Sequence, residues 1–162
     1  MIFPLTDGND FGIQVLEYLN KPAAMSSFFK ISDAASLAIH AMLRICETPD
    51  RPVSIKEIAS HIEASQAHLG KVLQRLVHVG LVQSTRGPKG GFALARPAGE
   101  IALLDIYEAI DGSLPDGCCL FRRPVCRRNL CVFGGLLHSA ARQIHDYMAE
   151  AKLSALAGGE SV

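Results

Sequence analysis

Apolar residues recur at helical spacing along most of this chain and shorten to a strand-like pattern in one region only. From Ser32, the positions Ala35, Leu37, Ala38, Ala41, Met42 and Ile45 mark one face of a helix that Ser32 or Asp33 can cap. Thr48-Pro49-Asp50-Arg51-Pro52 breaks it. A second helix opens at Ser54, with Glu57 three residues on completing a capping box, and its stripe is Ile55, Ile58, Ala59 and Ile62. Ser65 caps a third, whose stripe is Leu69, Val72, Leu73 and Leu76, and Gly80 stands where a left-handed closing residue is wanted. The period then changes. Leu81–Ser84 and Gly91–Leu94 predict two short strands joined by the hairpin Thr85-Arg86-Gly87-Pro88-Lys89-Gly90.

A further helix is predicted over Leu103–Ile110, ending at Asp111-Gly112. A cysteine-bearing loop follows, and then a long final helix from about Val132 to Leu156, with Leu136, Leu137, Ala140, Ile144, Tyr147, Met148 and Ala151 on one face. A helix longer than a small domain needs predicts packing on its own copy in a two-fold dimer; the alternative is that it covers its own domain. Ahead of the domain, Phe11, Val15, Leu16 and Leu19 line a short helix stopped by Asn20-Lys21-Pro22, and Met25 offers a second natural start. The expected organisation is an extension over 1–24, a winged helix-turn-helix domain over 25–112, a cysteine loop over 113–131, and a dimerisation helix and tail over 132–162. The fold class is mainly α with a small β-wing: a winged helix-turn-helix, working part Ile31 to Pro97, plus a long C-terminal dimerisation helix.

A chain of 162 residues, 49% hydrophobic, can bury one core and add an arm, which argues against global disorder. No apolar run approaches the ~20 residues that span a bilayer. Asp7 and Asp10 without a basic cluster do not make a secretory signal, so the expected location is the cytoplasm. The net charge of zero hides a segregation. Between Glu63 and Glu100 no acid occurs, while Lys71, Arg75, Arg86, Lys89 and Arg96 do, with His68 and His78 beside them. Ordinary solvated faces mix both signs; phosphate contacts require one. On the third helix Ser65, Gln66, Ala67, His68, Lys71 and Arg75 lie early or outward, the positions that meet base edges or phosphates when a helix enters the major groove. Ser65 also offers the amide end of its helix to a phosphate, and Arg86 and Lys89 at the wing tip reach the minor groove or flanking backbone. Double-stranded DNA is the expected partner.

The run Ile31 to Gly112 resembles the IscR/NsrR/RirA-type (Rrf-two) family of bacterial transcription regulators. The likeness is closest in Leu69-Gly70-Lys71-Val72-Leu73-Gln74-Arg75-Leu76, Gly80-Leu81-Val82 and Arg86-Gly87-Pro88-Lys89-Gly90-Gly91-Phe92, and it extends beyond Gly112 to about four fifths of the chain, leaving out the leader and the last few residues. It implies a homodimeric winged-helix regulator, often a repressor, with many members holding an iron–sulfur cluster that controls DNA affinity.

Cys118, Cys119, Cys126 and Cys131 crowd into one short stretch, whereas Cys46 sits in an apolar helical run and reads as a small buried hydrophobe. With no export signal, clustered thiols point to metal or redox chemistry before disulfides, and thiolates suit iron–sulfur clusters and zinc. The resemblance places cluster ligands at Cys119, Cys126 and Cys131, spaced C-x6-C-x4-C, with a second gap shorter than usual and Cys118 as an extra thiol. For the fourth ligand, one branch of the family uses a His where this chain has Gly134, with His138 a turn later. Another uses an Asp on the first helix of the partner subunit, where Ser36 stands, and a redox-sensing branch a His one turn on, where His40 stands. His40 is ranked first, beside its reading as a plain polar helix residue. Arg122, Arg123, Arg127, Arg128 and Arg142 surround the cysteines with no acid between Asp116 and Asp146, a setting that favours thiolates and would equally hold DNA. The cofactor implied is a 2Fe-2S or 4Fe-4S cluster; the alternative is a regulator of the same fold that binds zinc or senses by reversible thiol oxidation. An enzyme is not expected: no acid orients a Cys–His pair near the cysteines, and the hairpin lacks the G-x-x-x-x-G-K-[ST] spacing of a phosphate loop.

Overall fold

Two serine caps set where the first two helices begin. In the computed structural model, which describes residues 29–87, 90–114, 133 and 135–158, helix α1 runs Asp33–Cys46 and helix α2 Ile55–His61. Ser32 Oγ accepts from the Ala35 amide at 3.0 Å and Ser54 Oγ from the Glu57 amide at 3.2 Å, each satisfying a donor the helix itself leaves open. Only half of the expected capping box forms. The Glu57 carboxylate, instead of reaching back to Ser54, lies 3.0 Å from both Arg44 and Arg51, because two charge-assisted bonds outweigh one neutral amide. These arginines, the Arg51 hydrogen bond foremost, hold the Glu57 carboxyl below its ordinary range.

Helix α3 spans Gln66–His78. It closes as the sequence predicts: Gly80 takes φ +74, its amide bonds to Val77 O at 3.1 Å, and the Leu81 amide bonds to Leu76 O at 3.0 Å. This pair of bonds turns the chain sharply out of the helix. Strands β1 (Val82–Thr85) and β2 (Gly91–Leu94) then pair antiparallel, with Val82 opposite Leu94 and Thr85 opposite Gly91. The wing has a third, one-residue member that local sequence does not reveal. Val53, between α1 and α2, bridges Phe92 through two backbone hydrogen bonds of 2.9 Å.

A 3-10 turn (Ala98–Glu100) leads to helix α4, Leu103–Asp111, whose Asp105 carboxylate accepts from the Ala102 amide at 2.9 Å. The C-terminal region departs from expectation. Rather than one helix to Leu156, helix α5 covers Leu136–Glu150, the chain becomes extended at Ala151 (ψ 106), and a short helix α6 follows over Leu153–Ala157. The break comes from a distant pairing: Leu103 N donates to Ala151 O and Leu153 N to Ile101 O, both at 2.9 Å. Just beyond this bridge Leu153 enters the core fully buried. The core itself is one cluster in which Met42, Ile58, Leu69, Leu73, Leu76, Ile101 and Ile106 join Leu153 without solvent exposure. Cys46 packs partly buried against it, its thiol pushed up by burial and then by Glu47, in keeping with a hydrophobe's role. Residues 1–28, the wing-tip residues Pro88 and Lys89, and the cysteine segment 115–132 lie outside the described residues, and with them the expected N-terminal helix and the four clustered cysteines.

Candidate nucleic-acid interface

Helix α3 divides sharply. Leu69, Val72, Leu73 and Leu76 are buried, and Gln66, Ala67, His68, Lys71, Gln74, Arg75 and His78 are exposed. Burial of one stripe fixes the rotation of the helix, so the polar positions singled out by sequence share its solvent side. The Ser65 hydroxyl makes no capping bond to α3, unlike those of Ser32 and Ser54. The amide end of α3 is therefore not closed by its own N-cap side chain, an arrangement suited to an anion.

The doubled glycine of the wing has a steric reason. A Cβ on Gly91 would lie 2.5 Å from Val53 O, and one on Gly90 would collide with Thr85 O, both backbone atoms that cannot turn aside. Absence of side chains here allows β2 to sit between β1 and Val53 and presents Arg86, exposed, beyond the end of β1. Lys89 lies outside the described residues.

Not every cation of the acid-free stretch is equally disposed toward solvent. Lys71 and Arg86 form no ion pair among the described residues. Arg96 approaches Asp105 at 3.9 Å. Arg75 donates from Nη2 to Ile110 O at 2.8 Å, so part of its guanidinium is engaged at the end of α4. Sequence spacing had offered no sign of this, since the two residues are 35 apart.

On α1, His40 is exposed and its Nδ1 lies 2.7 Å from Ser36 O. A carbonyl only accepts, so Nδ1 is the donor in this contact and Nε2 takes no part in it. His40, Ser36, Asp33, Leu37, His61 and Ile62 line an open cleft of about 400 Å³. Among the described residues no three His, Cys, Asp or Glu side chains group to hold a metal; Cys118, Cys119, Cys126 and Cys131 are not among them. No described helix is long and apolar enough to cross a membrane.

Comparison with known proteins agrees with this architecture. Residues 31–159 match the sequence profile of the Rrf2 family, described as iron-dependent transcriptional regulator. The chain is 38% identical over 77 residues to the HTH-type regulator BadM of Rhodopseudomonas palustris, a match taking in 48% of this chain and 49% of that relative. It is 26% identical over 134 residues to the transcriptional regulator IscR of Xenorhabdus nematophila, covering 82% of each. The crystal structure of CymR from Staphylococcus aureus in an oxidised form superimposes with a TM-score of 0.65 at 26% identity, over 83% of this chain and 98% of that one. These relatives are transcriptional regulators and not enzymes. With the winged helix in place and the profile spanning most of its length, the chain belongs to the Rrf2 family of transcriptional regulators.

Proposed function

We propose that this protein is a DNA-binding repressor acting in the cytoplasm as a homodimer, whose operator affinity answers to an iron–sulfur cluster. The observation behind the DNA-binding half is the exposed face of α3, free of acids, standing with Arg86 of the wing. Ser65, Gln66, Ala67 and His68 meet base edges or the first phosphates, Lys71 flanks them, Arg75 shares their face with its guanidinium tied to Ile110 O, and Arg86 and Lys89 follow the backbone or minor groove. The dimer half rests on α5, where Leu136 is 62% exposed and Tyr147 47%, three turns apart on one side of the helix.

Cys119, Cys126 and Cys131, with His40 of the partner subunit, would hold the cluster. Three soft thiolates and an imidazole with a free Nε2 are a donor set that suits it. A cluster bound there supplies a redox- or nitric-oxide-labile tie between the cysteine segment and the DNA-binding domain. The chain's own part is to carry that segment directly between α4 and α5.

Protein purified without oxygen should be brown, with stoichiometric iron, and Cys126→Ala should abolish iron loading. Full loading of that variant would refute the ligand set. Arg86→Ala should weaken operator binding and lower its salt dependence by about one ion; an unchanged slope would remove the wing contact. A second reading, reversible thiol oxidation or zinc on the same fold, is favoured by the adjacent thiols Cys118 and Cys119 and by the oxidised form of the S. aureus relative. A colourless protein with zinc or free thiols would establish it.

A further inference from the structure

Several long-range ties converge on the last turn of α4. Asp111 accepts from Ser32 twice, from the backbone amide at 2.9 Å and from the hydroxyl at 2.6 Å, which fixes it to the cap of α1. Ile110 O accepts from Arg75 of α3 at 2.8 Å. One turn earlier, Tyr107 Oη donates to Lys30 O at 3.1 Å and its ring stacks on Phe29 at 6.1 Å, securing the strand of chain that enters α1. Burial, then Asp111 and Glu108, push the Tyr107 hydroxyl up, so it remains a donor.

Immediately after this turn the backbone does something only glycine tolerates. Gly112 has φ +82 and ψ −172, a region closed to residues with a Cβ. Nothing would crowd a Cβ at Gly112, so the demand is purely conformational. The next residues lead directly into the cysteine segment.

We propose that the last turn of α4 is the joint that sets the pose of the recognition helix from the cysteine segment, with Arg75 as its positioning residue and Gly112 as its fixed elbow. The transmission half of this proposal rests on the reading that the cysteine segment controls DNA affinity; the positioning half does not. The segment's start is covalently the end of α4, and a change in its course is felt at Asp111 and Ile110. Arg75 then passes that change to α3, and Ser32 passes it to α1. Arg75 thus acts on DNA chiefly through Ile110 O, and its loss differs in kind from the loss of a phosphate contact.

Three full-length variants, Arg75→Met, Asp111→Asn and the double substitution, test this, each measured for operator affinity across a range of salt concentrations. Each single change is expected to weaken binding about three- to thirtyfold with an unchanged salt slope. The double should be no weaker than the worse single, because both act through one joint. A lowered slope for Arg75→Met with unaltered affinity for Asp111→Asn would overturn the proposal and make Arg75 an ordinary phosphate contact. Multiplicative effects would overturn it too. Hydrogen–deuterium exchange guards against unfolding as the cause: Arg75→Met should speed exchange at 108–114 while leaving α1 and α5 protected, and no local change would refute the tie. The ratio of operator affinities between iron-loaded and iron-free protein should also shrink toward one in Arg75→Met. If the wild type shows no such ratio, the cluster reading fails, while the salt slopes, the double variant and the exchange still decide the joint.

Discussion

Replacing Gly91 by Ala adds one methyl group where the backbone leaves no room for it. The new Cβ would lie 2.5 Å from Val53 O, 2.7 Å from Val53 C and 3.1 Å from Ser54 N, whereas such contacts relax at ~3.5–4.0 Å. No rotamer change relieves the overlap, so β2 and Val53 must separate by about 1 Å, enough to lose both 2.9 Å hydrogen bonds between Val53 and Phe92. At ~0.5–1.5 kcal/mol net for each bond, the cost is about 1–3 kcal/mol, a fall of roughly 2–12 °C in Tm for a chain of this size. Urea denaturation followed by circular dichroism reads the stability. A gel-shift on the protein's own promoter reads the function, which should weaken as Arg86 moves with the wing. Gly99→Ala is the control, since its Cβ would meet nothing nearer than Ser154 Oγ at 3.7 Å. If Gly91→Ala unfolds and binds like the wild type and the control, the three-membered wing is not what holds Arg86 in place.

Leu153→Ala removes a fully buried side chain from the core and should cost ~2–5 kcal/mol, whereas Leu156→Ala, only partly buried on the same short helix, should cost distinctly less by chemical denaturation; equal costs would mean that α6 does not seal the core. Glu57 has a lowered pKa in the folded chain, so it adds stability above its unfolded pKa that is lost as pH falls through the folded value. Tm measured from pH 6 to pH 3 should accordingly drop less steeply in Glu57→Gln than in the wild type, and parallel curves would contradict the Arg44–Glu57–Arg51 network. Leu136→Glu with Tyr147→Glu places charge on the exposed side of α5 and should give a folded monomer by analytical ultracentrifugation; a persistent dimer would move the interface elsewhere.

What sequence made legible was whatever is decided within a few residues. The stripes of α1, α2 and α3, the Ser32 and Ser54 caps and the Gly80 exit depend on 3.6-residue periodicity and local hydrogen bonding, and all appear where the pattern puts them. The misses are non-local. No glycine or proline marks the break at Ala151–Lys152, because it is imposed by pairing with Ile101–Leu103 across the fold. Glu57 satisfied the capping-box spacing but met two arginines, one from another helix, and Arg75 looked like an outward cation until α4 brought Ile110 O beside it. Val53 could not be read as a wing strand at all, since one residue has no period. For the candidate site, helical phase was enough to place α3's outward residues together, whereas cysteine spacing points to thiolate chemistry without fixing a geometry.

If α3 and the wing bind an operator under the control of the cysteine segment, removing the iron must change operator affinity. Operator Kd should be measured at fixed salt for full-length protein isolated without oxygen, then for the same sample after its iron is removed by chelation. The starting protein should be brown, and Kd should change tenfold or more, about 1.4 kcal/mol of coupling. A Kd that stays the same while iron and colour are lost would contradict it.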